Sequence, residues 1–208
     1  LAGFLALRES GIRSAALEYN LGNTHFRLGD LGRAILHYRR AERRAGGEAR
    51  VQANLRYARG RVEPQIPASG ETRLTRQLLF WHYRTTLTVR AWIMLILAAI
   101  AWPLLFLWLQ RRRNGLLIAG SIGVIASFAL GASVLWQMHD QAARPAAVTV
   151  AAEEYLRLGR GANADRALKQ PLGPGVELRI LQQRGDWVEV RLPNDQTGWL
   201  PQGAVERV

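Results

Sequence analysis

The side chains that could carry covalent or metal chemistry are few and dispersed. The 208-residue chain has no Cys and four His: His25, His37, His82 and His139. Without thiols there is no disulfide, no Cys nucleophile and no thiolate metal site. Nothing in the sequence matches metal-ligand spacing, a nucleophile elbow or a phosphate loop. Catalytic, cofactor and metal residues are therefore not expected, and the expectation is a protein that binds rather than reacts. Three sets of side chains suit binding. The first is Tyr19, Asn23, Phe26, Arg27, Asn54 and Tyr57, rich in amide and aromatic groups. The second is Trp187 and Trp199. The third is a run of small residues, Ala119, Gly123, Ser127 and Gly131, at strict intervals of four.

The third set lies in the second of two apolar runs. No charged residue occurs from Ala91 to Gln110 or from Asn114 to Met138, and only Arg111, Arg112 and Arg113 separate the runs. Each run is long enough to cross the hydrocarbon core of a bilayer as a helix. So short a link predicts a transmembrane hairpin over 91–139, with both chain ends on one membrane face. Trp81, Trp92, Trp108 and Trp136 mark the expected interfaces. Pro103 predicts a kink in the first span. Small residues on one helix face let backbones approach closely, so the stripe is expected to pack on Ala98 and Ala101 of the first span, or on a membrane partner.

Charge is uneven along the chain. The formal net charge is +12, with +7 over residues 1–61, +5 over 62–144 and zero over 145–208. A basic balance invites a nucleic-acid reading. Anionic lipid headgroups account equally well for arginines that flank membrane spans, so no nucleic-acid partner is expected.

Residues 1–61 repeat at an offset of 34: Asn20-Leu21 returns as Asn54-Leu55, and Ala15 as Ala49. That period resembles the helix–turn–helix tetratricopeptide repeat. One full copy runs over 14–47, flanked by a half copy on each side, and earlier repeats are expected before Leu1. Gly22 and Ala34 are small where the two helices would cross, and Leu21, Leu28, Ile35 and Tyr38 would fill the space between them. Gly29 suits a left-handed helix end, and Asp30 suits the cap of the next helix. The resemblance implies an extended peptide or partner helix bound on the concave face, at Tyr19, Asn23, Phe26, Arg27, Asn54 and Tyr57. Asn23 and Asn54 stand 31 residues apart, the relation by which such repeats grip a peptide backbone. The Lys and Arg that complete a carboxylate clamp in those repeats are not evident, and Tyr19 stands where a Lys would be needed.

Residues 62–90 read as a linker with Pro64, Pro67, Ser69 and Gly70, followed by an interfacial amphipathic segment with Leu74, Leu78 and Trp81. Residues 148–208 change character. Short alternating runs start near Val148, Val176, Trp187 and Gly198, and Gly, Pro, Asn and Asp clusters separate them. With Leu156-Arg157-Leu158-Gly159, Gly185-Asp186-Trp187-Val188 and Gly198-Trp199-Leu200-Pro201, the order resembles a small bacterial SH3-like β-barrel. Trp187 and Trp199 would line a groove there or fill the core, with core packing the first expectation.

The module order resembles that of the BatE-like proteins of the Bacteroides aerotolerance family. The order runs repeats, Pro-containing linker, Trp-His-Tyr-Arg entry at 81–84, hairpin with an arginine turn, and terminal SH3-like domain. The fold class expected is thus multidomain: helical repeat, transmembrane hairpin and small β-barrel. The resemblance implies a two-pass protein of the bacterial inner membrane, its soluble parts periplasmic. It also implies a non-enzymatic scaffold without cofactors, beside von Willebrand factor A-type membrane proteins. The alternative function is a cell-envelope sensor or anchor that binds peptidoglycan or peptide through the SH3-like domain.

Overall fold

The computed structural model describes residues 1–45, 48–69 and 87–208. The interfacial segment expected within 70–86, with Trp81 and His82, lies outside the described residues. Four helices precede it: α1 (Ala2–Glu9), α2 (Ala15–Arg27), α3 (Leu31–Ala45) and α4 (Ala49–Arg59). Ser14 opens α2 by accepting a hydrogen bond from the Leu17 amide at 3.1 Å, which satisfies one of the amides a helix start leaves open. Gly29 closes it at φ +79°, and Asp30 Oδ1 accepts from the Arg33 amide at 3.1 Å to start α3. α2 and α3 cross tightly because Gly22 has no side chain: a Cβ there would stand 2.6 Å from the Tyr38 ring. Leu21, Ala34, Ile35 and Ala41 are wholly buried. Leu28 is not part of this packing. It is 65% exposed, because it lies past the last turn of α2 and its side chain no longer follows the helix's inner face.

Two apolar helices follow, α5 (Leu87–Arg111) and α6 (Asn114–Ala143). Both are long and apolar enough to cross a membrane. Pro103 sits inside α5. Their outer faces carry bare Trp92, Ile96, Phe106, Phe128 and Trp136. The turn between them uses Arg112 at φ +53°, its guanidinium 5.5 Å from the Trp108 ring centre.

The rest is an antiparallel sheet of five strands: β1 (Ala146–Thr149), β2 (Glu177–Arg184), β3 (Trp187–Arg191), β4 (Thr197–Pro201) and β5 (Val205–Arg207). The order is β4-β3-β2-β1-β5. A closed barrel was the expectation, and the sheet is open. Residues 150–176 form no strand, since Gly159, Gly161, Gly173, Pro174 and Gly175 interrupt any ladder. Arg157 pairs with the β4 edge, exchanging two backbone bonds with Trp199 at 3.0 and 2.7 Å.

The helices before the apolar pair and the sheet after it belong to one compact unit, and the apolar pair forms another. One core runs through the first unit, from Ile35, Leu55 and Val62 to Val148, Val176 and Leu200. Gly32 lets α3 approach β1: a Cβ there would meet the Thr149 carbonyl at 2.7 Å. Arg59 donates to both carboxylate oxygens of Glu177, and Arg39 Nε lies 3.0 Å from the same group. A bidentate guanidinium–carboxylate pair is among the stronger polar contacts available. The stretch after α4 is packed and not a free tether. Val62 is buried, Ile66 joins the core, and Gln65 donates to the Arg59 and Val62 carbonyls.

Candidate functional site: an amide cleft between α2 and α4

The 34-residue offset sets α2 and α4 side by side on α3, and their matching faces border a cleft of about 350 Å³. All six side chains of the first set line it, Tyr19, Asn23, Phe26 and Arg27 from α2, Asn54 and Tyr57 from α4. The seventh member, Tyr38 of α3, was read in the sequence as packing alone. Its ring does pack, 6.1 Å from Tyr19, but its hydroxyl donates to Asn23 Oδ1 at 2.8 Å. Phe26 and Tyr57 meet at 5.6 Å. Arg61, also unforeseen, lies 5.0 Å over the Tyr57 ring and donates to its hydroxyl.

The two amides are bonded to each other. Asn54 Nδ2 donates to Asn23 Oδ1 at 2.9 Å and to the Tyr19 hydroxyl at 3.1 Å. Asn23 Oδ1 thereby accepts twice and Asn54 Nδ2 donates twice, which uses up both. Asn23 Nδ2 and Asn54 Oδ1 find no partner among the described residues. The cleft so offers one amide donor beside one amide acceptor. Burial raises the Tyr38 hydroxyl above its ordinary pKa against the lowering effect of Asn54, so it stays a donor at neutral pH.

Behind the cleft lies a polar cluster that the sequence did not announce. His25 and His37, read as scattered, stack at 5.2 Å. His37 Nδ1 lies 2.7 Å from Glu18 Oε2, both groups almost wholly buried. His25 Nδ1 lies 3.2 Å from Asp30. Burial works against the Glu18 charge, but the His37 bond and the charges of His37, Arg40 and Arg44 hold its pKa below the usual value. Burial, together with His37, pushes His25 down against the pull of Asp30. The only sequence signal was spacing: Glu18 and His25 lie seven apart on one face of α2.

Trp187 and Trp199 take a different place from the one first expected. Neither belongs to the buried core, which uses the alternate residues Val188, Val190 and Leu200. They lie half-buried on the other face of β3 and β4, and the Arg160 guanidinium stands 5.7 Å over Trp199. Period-two alternation forces this: a strand residue next to a buried one faces away.

In the hairpin, Gly123 abuts Ala101, Gly131 abuts Met94, and the Ser127 hydroxyl donates to the Met94 carbonyl at 3.1 Å. Ala119 is exposed. Gly120 takes the position instead, against Leu105. No family model, curated protein or solved structure matches the chain.

Proposed function

We propose that the protein is a two-pass membrane scaffold that holds an extended peptide segment of a partner in the α2/α4 cleft. The observation that carries this reading is the free donor of Asn23 beside the free acceptor of Asn54. A peptide group presents the complementary pair, a carbonyl and an N–H, and neighbouring aromatics flank it in the way extended peptides are gripped. The helical segment is then a tetratricopeptide-type repeat, and the sheet an SH3-like domain. The module order supports a BatE-like aerotolerance protein of the bacterial inner membrane, with von Willebrand factor A-type membrane proteins as partners. Both soluble parts are periplasmic in this reading. Gln52→Cys and Glu153→Cys, exposed in the helical and sheet parts, should both label in intact spheroplasts. Labelling of both only after permeabilisation would reverse the orientation.

The deciding experiment is a crosslinking pull-down from native membranes. Asn23→Ala with Asn54→Ala should lower partner recovery by about tenfold or more, since a buried polar group left unpaired costs about 1–3 kcal/mol. Arg56→Ala, exposed on α4 outside the cleft, should recover partners at wild-type yield. Wild-type recovery by a normally folded double variant would sink the cleft reading.

One observation favours a second reading. Trp187 and Trp199 on the outer sheet face offer flat apolar surface, with Arg160 over Trp199, which suits a cell-wall glycan or peptide. Retention of the protein on purified peptidoglycan, lost in Trp199→Ala, would support the anchor reading.

A further inference from the structure

A second concave site lies apart from the amide cleft. Arg8 of α1, Arg13 of the following loop, and Arg40, Arg43 and Arg44 of α3 surround a pocket of about 420 Å³. Val208 completes the lining, and its one acidic side chain is Glu18. It is almost fully buried and already engaged by His37 at 2.7 Å, with Arg44 at 3.6 Å. Arg40 and Arg43 are fixed on the wall because each donates to a main-chain oxygen at the last strand's end, that of Arg207 and that of Val208. Arg40 Nη1 is buried and has no hydrogen-bond partner. Arg8 and Arg13 make no ion pair among the described residues.

Five guanidinium groups around one acidic side chain that is already engaged repel each other, and a low-dielectric wall strengthens that repulsion. Burial and the charges of Arg8 and Arg44 disfavour the Arg40 cation, and they outweigh the pull of Glu18 and Glu206. A multiply charged oxyanion would relieve all of this together. We propose that the pocket binds a phosphate group, held by Arg8, Arg13, Arg40 and Arg43. Phosphate carries close to two charges near neutral pH and several acceptor oxygens. The planar guanidinium fork matches it in paired hydrogen bonds. A single carboxylate would use only part of this donor set. The pocket also has room for the organic remainder of a phosphate ester. Free phosphate or a soluble ester, and the phosphomonoester headgroup of a lipid, share this chemistry.

The test uses the full chain in phosphatidylcholine nanodiscs, titrated with inorganic phosphate against chloride at matched ionic strength. A ligand that binds only the folded state raises the melting midpoint in a saturable way. The expected result is such a rise, with calorimetric affinity at least tenfold weaker in Arg40→Gln. Arg13→Gln, in an exposed loop, should weaken it likewise without risk to folding. Arg56→Gln, exposed on α4, should bind as the wild type does. A non-saturable rise shared by all four proteins is the general effect of phosphate on water and overturns the site. Equal loss in Arg56→Gln reports net charge alone and also overturns it, as does tighter binding of succinate than of phosphate. Phosphatidic acid added to the nanodiscs separates the sources. A fall in apparent phosphate affinity supports the site with the lipid headgroup as ligand. An unchanged titration supports it with the soluble anion.

Discussion

Glu18, His25 and Asp30 show how three side chains of one helix pair can make stability depend on pH. The carboxyls of Glu18 and Asp30 are held below 4.5 and 3.8, their ordinary values. The contribution of each is complete above its ordinary value and is lost as pH falls below it. His25 is pushed below 6.5, so the unfolded chain takes up its proton first. Its contribution is complete above pH 6.5 and is lost as pH falls through that value towards the folded one. Melting midpoints of the full chain in detergent should therefore be flat from about pH 7 until, above pH 10.0, the contribution of the raised Tyr38 hydroxyl starts to be lost. On the acid side they should decline in two stages, the first beginning near pH 6.5 and the second below pH 4.5. His25→Phe keeps a flat ring against His37 and removes the titration. It should abolish the first stage and leave the second. An unchanged first stage in that variant would place the proton elsewhere.

Among the elements, the apolar pair illustrates the difference between spacing and geometry. Each step of four residues advances a helix by about 40° beyond a full turn. Four small residues at strict intervals of four therefore fan out around the helix, and they cannot all face one neighbour. Gly123, Ser127 and Gly131 stay on the seam, whereas Ala119 rotates off and Gly120 replaces it. A polar clamp also ties the pair. Arg90, 1% exposed, donates to Ser133 at 2.8 Å and to Gln137. A Cβ at Gly123 already falls 2.8 Å from the Ala101 Cβ. Gly123→Leu should thus force the helices apart at a cost of about 1–3 kcal/mol. Ile125→Ala, 68% exposed, should change little. Crosslinking between cysteines placed at positions 97 and 127 measures this. Equal crosslinking in both variants would mean that the seam is not where the two helices hold together.

For the whole molecule, the main consequence is that residues far apart in the chain share one core. Gly32 lies where α3 abuts the end of β1, and the nearest atoms a Cβ there would meet are backbone, Thr149 O at 2.7 Å and Val150 Cα at 3.0 Å. They cannot swing aside as a side chain could. Gly32→Val should destabilise helices and sheet together by about 1–3 kcal/mol. Far-UV signals of both parts should fall at one lowered midpoint. Gly3→Ala, with open space around it, should leave the midpoint in place. Two separate transitions in Gly32→Val would show that the parts fold independently. A shared core also means that force or ligand at the cleft acts on a body that includes the sheet.

Local patterns carried much of this in the sequence. Long uncharged runs are helices long and apolar enough for a bilayer because composition alone decides that. The 34-residue offset placed Tyr19, Asn23, Asn54 and Tyr57 along one cleft because a repeat returns equivalent faces to equivalent positions. Gly29 and Asp30 announced the turn between α2 and α3 because cap chemistry is local. Pairings between distant segments were not legible. Nothing in the spacing of Arg39, Arg59 and Glu177 reveals that they meet, nor that Val62 and Ile66 belong to a core. His37 reaches Glu18 and Tyr38 reaches Asn23 only through the crossing of two helices. Alternation in β3 and β4 fixed which residues share a face, but only the docked sheet decided that Trp187 and Trp199 take the outer one. Propensity, period and capping act over a few residues and can be read from the chain. Which faces meet depends on the shape and charge of surfaces that exist only once the elements have formed.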